Sequence, residues 1–244
     1  MSTSVDGVPV VLVHGLRTSR TMWRAQVDAL EAYGRRAVAL DLPGHGTRSG
    51  TRFTSAGAVN AVRDAVDGAG GRALVVGLSL GGYTAIAHAA RHPEQAVGVV
   101  AAGCCTQPSR MLVGGWAVAA QGFARMPDRG AAVNGFLVRH VLPPAGARDV
   151  AAGGFALDVV EDVLREVGRT DPLTDLARVE APVWLVNGRL DHFRTQERRF
   201  VAAAPDARLV VVPGATHLVS LVAPVRFTRV VLEAADEVDR RAGG

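Results

Sequence analysis

Short, uninterrupted apolar runs recur along the chain, and most are followed by a loop rich in glycine, proline or polar residues. Runs without polar alternation are typical of strands that are buried on both faces of a parallel sheet. The runs that predict strands are residues 9–13, 37–40, 73–76, 97–102, 183–186 and 209–212.

Segments with apolar residues at helical spacing separate most of these runs. Trp23, Val27, Leu30 and Tyr33 mark one face of the first predicted helix. Further helices are predicted at residues 55–68, 83–90, 194–203 and 218–238. The alternation of strand and helix predicts an α/β fold, doubly wound, with about six mostly parallel strands and helices on both faces of the sheet.

The alternation stops after the fourth predicted strand. Residues 106–180 contain helix-like segments that are interrupted by Pro127 and by Pro143-Pro144. Because catalytic loops lie at the carboxyl ends of parallel strands, we interpret this insertion as a helical lid over that edge; an extra helical layer packed elsewhere is the alternative. The predicted organisation is a core of residues 1–105 and 181–244 with the lid at 106–180.

The charge of the chain argues against a nucleic-acid partner. All 27 basic residues are arginines, and 23 acidic residues leave a net charge of +4. The arginines are scattered and form no long basic run, whereas nucleic-acid binding calls for a concentrated basic surface.

The cysteines and the N-terminus bear on the cellular location. Cys104 and Cys105 are adjacent, and since a vicinal disulfide is strained, we expect two reduced thiols. Residues 1–6 show neither a basic segment nor an apolar core of a secretion signal, and no apolar run approaches the ~20 residues of a membrane span. We therefore expect a cytoplasmic protein with no membrane partner.

The strongest motif is Gly77-Leu78-Ser79-Leu80-Gly81, which lies between a predicted strand and a predicted helix. A serine in such a sharp turn is exposed above the sheet, and the flanking glycines let the strand and the helix approach each other. The motif predicts that Ser79 is a nucleophile; a structural serine in a glycine-rich turn is the alternative.

A serine hydroxyl needs a nearby base, usually a histidine that is oriented by a buried carboxylate. Asp191 follows the fifth predicted strand, and His217 follows the sixth. His192 is a second candidate base, but a base adjacent in sequence to its own orienting acid would struggle to reach Ser79. We therefore predict a triad of Ser79, His217 and Asp191.

These motifs resemble the α/β-hydrolase superfamily over essentially the whole chain. The resemblance rests on His14-Gly15, Asp41-Leu42-Pro43-Gly44-His45-Gly46, the turn at Ser79, Gly188-x-x-Asp191 and Gly214-x-x-His217. The chain departs from the family in starting almost directly at the family's third strand. The antiparallel leading hairpin is therefore expected to be missing, and all six strands are expected to be parallel.

The resemblance implies acyl transfer without a cofactor. Ser79 would be the nucleophile, His217 the general base and then acid, and Asp191 the orienting carboxylate. The oxyanion hole would use the backbone N–H groups of Leu16 and Leu80. The spacing of the histidines and acidic residues shows no metal-ligand cluster, and there is no phosphate-binding loop.

The substrate pocket is predicted from loops and from the insertion. We expect His14, which should also brace its loop, and Cys104 at the pocket wall, with Met111, Trp116 and Phe123 as an apolar surface from the lid. Few charges in the insertion are suited to hold a phosphate or carboxylate. The expected partner is a small hydrophobic acyl substrate, free or attached to a carrier, and the oligomeric state is left open.

Several functions are compatible with these residues. A chain-releasing thioesterase of polyketide-type natural-product biosynthesis is one hypothesis, because residues 187–194 resemble small actinobacterial hydrolases; a general carboxylesterase is its nearest rival. A triad-containing lyase or cyclase uses similar residues, and a hydrolase-fold binding protein would use none of them catalytically.

Overall fold

The apolar runs form one six-stranded sheet in which every strand is parallel to its neighbours. The computed structural model describes residues 7–108, 114–115, 125, 128 and 130–243. The strands lie in the order β2-β1-β3-β4-β5-β6. Their bounds are β1 (Val10–Val13), β2 (Ala37–Leu40), β3 (Ala73–Leu78), β4 (Ala96–Ala102), β5 (Val183–Gly188) and β6 (Ala207–Val212). The predicted fold class is confirmed.

Side chains of successive strand residues enter two separate hydrophobic layers, one on each face of the sheet. Val11 and Val13 belong to one layer, and Val10 and Leu12 belong to the other. All four side chains are fully buried. This arrangement explains why the strands read as continuous apolar runs, since both faces must be apolar.

Helices cover both layers. Their bounds are α1 (Arg24–Ala32), α2 (Ser55–Ala69), α3 (Leu80–Arg91), α4 (Ala131–Val141), α5 (Pro144–Ala152), α6 (Val160–Val167), α7 (Pro172–Leu176), α8 (Glu197–Ala203), α9 (Val219–Val222) and α10 (Pro224–Ala242). Helices α2, α3 and α8 bury side chains such as Ile86 and Phe200 in the first layer. Helices α1 and α10 bury Leu30 and Phe227 in the second.

The strand order reverses beside β1. The chain passes from β1 to β2 on one side and then to β3 on the other. The carboxyl ends of β1 and β3 therefore flank the crevice where open α/β sheets bind ligands. The Gly15-Leu16 loop and the turn at Ser79 both lie at this point.

The described part of the insertion between β4 and β5 contains α4 to α7. Helix α6 packs on the core through Val163. The Glu166 carboxylate of α6 accepts a 2.9 Å hydrogen bond from the N–H of Ser55, where α2 begins. A helix N-terminus is a favourable place for a carboxylate, so this bond fastens the insertion to the core. A role as a lid remains a prediction.

Three details of the helices differ from the sequence interpretation. Tyr33 was expected on the apolar face of the first helix, but it follows the last residue of α1 and is 74% exposed. The helix expected from Arg194 begins at Glu197. The expected closing helix is two helices, because Pro224 has no N–H and starts α10 afresh after α9. Within the described part of the chain, no helix has the length and apolar character needed to cross a bilayer.

Candidate active site

Ser79 lies in a strained turn between β3 and α3. Its φ of 55° and ψ of −113° fall outside the regions that residues other than glycine normally adopt. A Cβ on Gly77 would lie 2.1 Å from the carbonyl oxygen of Gly81, and one on Gly81 would lie 2.0 Å from that of Val13. Only glycine at both positions allows β3, α3 and β1 to meet this closely. The turn therefore has the geometry that the Gly-x-Ser-x-Gly motif predicts.

His217 and Asp191 are brought together by the loops that follow β6 and β5. The Leu190 N–H donates to the Ala215 carbonyl at 2.9 Å, which ties the two loops. His217 Nδ1 lies 3.0 Å from Asp191 Oδ1, and the same oxygen accepts a 2.8 Å bond from the Phe193 N–H. Because the carboxylate can only accept, Nδ1 carries the proton and Nε2 has a free lone pair.

The Asp191 carboxylate is held ionised in a buried site. Its side chain has no exposed surface, and burial by itself raises the pKa of a carboxyl group. The hydrogen bonds from His217 and from the Phe193 N–H outweigh this effect and hold the pKa of Asp191 below its usual range. The carboxylate is thus suited to orient a histidine and to stabilise its protonated form.

His192 contacts the same pair but is placed differently. Its Nδ1 lies 3.9 Å from Asp191 Oδ1, beyond hydrogen-bond distance, and its side chain is 69% exposed. Its ring lies 5.1 Å from that of His217. The structure thus places His217, rather than His192, in the position of the oriented base.

Ser79 and His217 line one cavity of about 370 Å³. Among the contacts that the structure describes, the side chains of Ser79 and His217 do not form a hydrogen bond with each other. Such bonds are often long in the absence of substrate and tighten only in the reacting complex. The cavity therefore brings the predicted nucleophile and base to one space, with Asp191 behind the base.

The peptide between Gly15 and Leu16 has a fixed orientation. The Gly15 carbonyl accepts hydrogen bonds from Thr18 Oγ1 at 2.9 Å, from the Thr18 N–H at 3.4 Å and from His14 Nδ1 at 2.8 Å. In a trans peptide the N–H points opposite to the carbonyl, so the Leu16 N–H is directed away from these three groups.

Leu16 and Leu80 are both placed to present an N–H group beside Ser79. A Cβ on Gly15 would lie 3.7 Å from the Cβ of Ser79, so this loop adjoins the serine. Leu80 is the first residue of α3, where backbone N–H groups have no partner within the helix. Leu16, Leu80 and Ser79 all line the cavity. The oxyanion role of the two N–H groups remains a prediction.

His14 does not line the described cavity, and its predicted place at the pocket wall is wrong. Its ring is fully buried, Nε2 accepts a 3.0 Å bond from the Leu42 N–H, and Nδ1 donates to the Gly15 carbonyl. Burial, with a smaller contribution from nearby His45, lowers the pKa of His14 to about 3. A neutral His14 braces its loop because both ring nitrogens are bonded to backbone.

Cys104 is likewise absent from the described cavity wall. It is fully buried, and a Cβ on Gly82 would lie 2.9 Å from its Sγ, so the thiol packs beneath α3. Both cysteines are unpaired, and burial raises the pKa of each thiol, that of Cys105 to about 12. The remaining predicted pocket residues, Met111, Trp116 and Phe123, lie outside the described residues.

The cavity wall contains residues that sequence reasoning missed. One apolar side is formed by α6 through Val160, Val163, Leu164 and Val167. The other missed lining residues are Arg17, Thr18, Leu78, Tyr83, His192, Phe193 and Leu218, together with Gly15. The sequence contains one sign that Arg17 lines the cavity: it directly follows Leu16, a predicted oxyanion residue. Among the described residues, no group of three or more His, Cys, Asp or Glu is arranged to hold a metal ion.

The sequence matches the Alpha/beta hydrolase family over residues 10–230. It is 27% identical to a 2-hydroxy-6-oxononadienedioate/2-hydroxy-6-oxononatrienedioate hydrolase of Burkholderia vietnamiensis, with 95% of this chain and 88% of that protein covered.

Two solved structures share the fold. An enol-lactonase from Burkholderia xenovorans has a TM-score of 0.75 and 25% identity over 93% of this chain and 91% of its own. A thioesterase domain from the curacin biosynthetic pathway has a TM-score of 0.72 and 18% identity over 94% of this chain and 92% of its own.

Proposed function

The chain belongs to the Alpha/beta hydrolase family, and we propose that it is a serine hydrolase that cleaves a hydrophobic ester, lactone or thioester through Ser79, His217 and Asp191. The observation that best supports this proposal is the 3.0 Å bond from His217 Nδ1 to Asp191 Oδ1, in a cavity that His217 shares with Ser79. This bond leaves Nε2 of His217 free to accept a proton.

In the first half of the reaction, His217 Nε2 takes the proton of the Ser79 hydroxyl while Oγ attacks the substrate carbonyl carbon. The carbonyl oxygen becomes an oxyanion and accepts hydrogen bonds from the Leu16 and Leu80 N–H groups. Asp191 stabilises the imidazolium that forms. When the tetrahedral intermediate collapses, His217 returns the proton to the leaving alcohol or thiol, and an acyl group remains on Ser79.

In the second half, water or a hydroxyl group of the acyl chain attacks the acyl-enzyme. His217 takes the proton of this nucleophile and then gives it to Ser79 Oγ as the ester bond breaks. Water as nucleophile gives hydrolysis, whereas an internal hydroxyl gives a cyclic product. The same residues serve both outcomes, which is why a cyclase is a second possibility for this site.

An apolar acyl group fits the wall of the cavity. Val160, Val163, Leu164 and Val167 of α6 face Ser79 across a volume of about 370 Å³, which is at the small end of ligand pockets. We propose that this part of the insertion acts as a lid, because its apolar side chains form one wall of the space where the acyl-enzyme would form.

The proposed substrate class includes both thioesters and oxygen esters. The chain-releasing thioesterase hypothesis rests on residues 187–194, and its rival is a general carboxylesterase. A lactonase or a hydrolase of the kind named for the two Burkholderia proteins would use the same triad. The His217–Asp191 bond argues against a binding protein without catalysis. This bond orients a base, and a site that only binds a ligand does not require an oriented base.

Two assays test the proposal. The wild-type protein is expected to hydrolyse p-nitrophenyl esters of short and medium acyl chains, and Ser79→Ala is expected to lose this activity by several orders of magnitude. Equal turnover by the two proteins would exclude the proposed nucleophile. The corresponding N-acetylcysteamine thioesters are then compared with the oxygen esters, and a clear preference for the oxygen esters would contradict the thioesterase hypothesis.

A further inference from the structure

A cationic residue lies in the wall of the otherwise largely apolar cavity. Arg17 lines the space that contains Ser79 and His217, and it directly follows Leu16, the proposed oxyanion donor. The residue is half-buried. An arginine in such a place loses part of its hydration and needs a partner to replace it.

The described residues offer Arg17 no partner of opposite charge. None of its side-chain atoms takes part in a hydrogen bond or ion pair with the part of the chain that the structure describes. No carboxylate of the described residues lines the cavity either. By contrast, Arg20 and Arg24, a few residues further on, pair with Asp41 and Asp149.

Burial has a visible electrostatic effect on this group. It lowers the pKa of the Arg17 guanidinium, because the cation is more costly in a poorly hydrated site. An arginine still remains protonated near neutral pH. The cavity therefore contains a permanent positive charge that an anion would stabilise.

The backbone of Arg17 is in a strained conformation that glycine would adopt without strain. Its φ is 67°, in the left-handed region, where a residue other than glycine or asparagine is strained. The Arg17 carbonyl accepts a 3.3 Å hydrogen bond from the Ala156 N–H of the insertion, which holds this conformation. A strained backbone at a cationic residue of the cavity wall that has no partner among the described residues points to a use for the side chain.

We propose that Arg17 binds a carboxylate on the acyl part of the substrate, so that the preferred substrate is the monoester, thioester or lactone of an acid that carries a second carboxylate. This inference rests on the proposed function and refines its substrate class. The planar guanidinium donates two parallel N–H bonds to the carboxylate, while the apolar side formed by α6 contacts the carbon chain between the two ends. The reacting carbonyl then lies at Ser79, and the anionic end lies on the Arg17 side of the same cavity.

A matched pair of substrates tests the proposal. Mono-p-nitrophenyl adipate and p-nitrophenyl hexanoate have the same chain length and leaving group and differ in the terminal carboxylate. The wild-type protein is expected to prefer the adipate by roughly 10- to 100-fold in kcat/KM, mostly through KM, since a hydrogen bond to a charged group is worth about that factor. The ratio is expected to approach 1 in Arg17→Gln and to be partly kept in Arg17→Lys.

Two further variants separate charge from backbone effects. Arg17→Gly relieves the left-handed strain and is expected to lose the preference as Arg17→Gln does. Arg24→Gln removes one positive charge from an exposed position on α1 and is expected to leave both rates unchanged. A wild-type preference for the hexanoate, or an equal ratio in the wild-type protein and Arg17→Gln, would overturn the proposal.

A binding measurement keeps the proposal separate from the proposed function. Ser79→Ala is titrated by calorimetry with monomethyl adipate and with methyl hexanoate, so that no turnover is needed. Tighter binding of the adipate that disappears in Ser79→Ala/Arg17→Gln supports the carboxylate site even if the wild-type protein hydrolyses neither ester. Equal affinities, together with hydrolysis of both esters that depends on Ser79, would overturn the carboxylate site and leave the serine hydrolase intact.

Discussion

A methyl group on Gly103 would lie 3.1 Å from both Cε1 and Nδ1 of His217. Gly103 directly follows β4 and has a φ of 59°, and its missing side chain leaves room for the imidazole to lie against the Asp191 carboxylate. Gly103, after β4, thus determines how closely His217, after β6, approaches the Asp191 carboxylate.

Gly103→Ala is therefore expected to reduce esterase activity by about 100-fold, because a displaced base loses its alignment with Ser79. Its free energy of unfolding should fall by about 1 to 2 kcal/mol from the left-handed backbone. Gly34→Ala is the matched control: Gly34 has a φ of 75° with no atom near the added Cβ. This control should lose similar stability and keep full activity; equal activity of the two variants would contradict the role of Gly103.

The turn at Ser79 should tolerate no side chain at Gly81. A Cβ there would lie 2.0 Å from the Val13 carbonyl oxygen, which belongs to β1 and cannot move independently. Gly81→Ala is expected to lose at least about 3 kcal/mol in urea unfolding. Gly68→Ala, in α2 with open space around the added methyl group, should instead gain about 0.5 to 1 kcal/mol. Similar stabilities of the two variants would argue against the close approach.

Asp191→Asn tests the orientation of the base. The amide keeps the size of the carboxylate but removes its charge and allows the opposite tautomer of His217. By the behaviour of other serine triads, kcat should fall by roughly 10⁴-fold. Asp206→Asn removes a carboxylate that pairs with Arg241 at the surface, and it should leave kcat unchanged. A loss below about 10-fold in Asp191→Asn would show that the acid is dispensable.

The buried, neutral His14 predicts an acid-sensitive fold. Its pKa is about 3 in the folded protein, against 6.5 for the unfolded chain. Between these values the unfolded state binds a proton that the folded state does not, so stability is full above pH 6.5 and falls as the pH drops. The contribution approaches about 1.4 kcal/mol per pH unit. The nearby charges are His45, which lowers this pKa, and Asp41, which raises it.

His14→Gln removes this titration. The variant should be less stable at pH 7, since Gln replaces both backbone bonds imperfectly, but its stability should depend less steeply on pH between 6 and 4. Urea unfolding of both proteins at several pH values measures the two slopes. Parallel slopes would mean that His14 is not the group responsible.

The sheet, and the positions of Ser79, Asp191 and His217 at its carboxyl edge, could be predicted because their signals are local. Strands β1 and β3 are buried on both faces, so their sequences have to be apolar throughout. Ser79 is recognisable because Gly77 is required by a contact within the turn and Gly81 by the close approach of β1. Asp191 and His217 follow strands whose ends must meet at one edge of the sheet.

The wall of the cavity could not be predicted in the same way. Val160–Val167 faces Ser79 only because the insertion folds back over the sheet, and no local pattern specifies that path. Arg17 has an ordinary loop sequence around it, and its place in the cavity follows from the backbone between β1 and α1. His14 and Cys104 were misplaced because a strand-end position does not reveal whether a side chain points into a cavity or into the core.

Covalent labelling shows whether Ser79 is the nucleophile that His217 activates. A fluorophosphonate reacts with an activated serine and not with ordinary hydroxyl groups. Intact-protein mass spectrometry of the wild-type protein should show a single adduct, located on Ser79 by peptide mapping. Ser79→Ala should show none, and His217→Ala should label far more slowly. Equal labelling of the wild-type protein and Ser79→Ala would exclude Ser79 as the nucleophile.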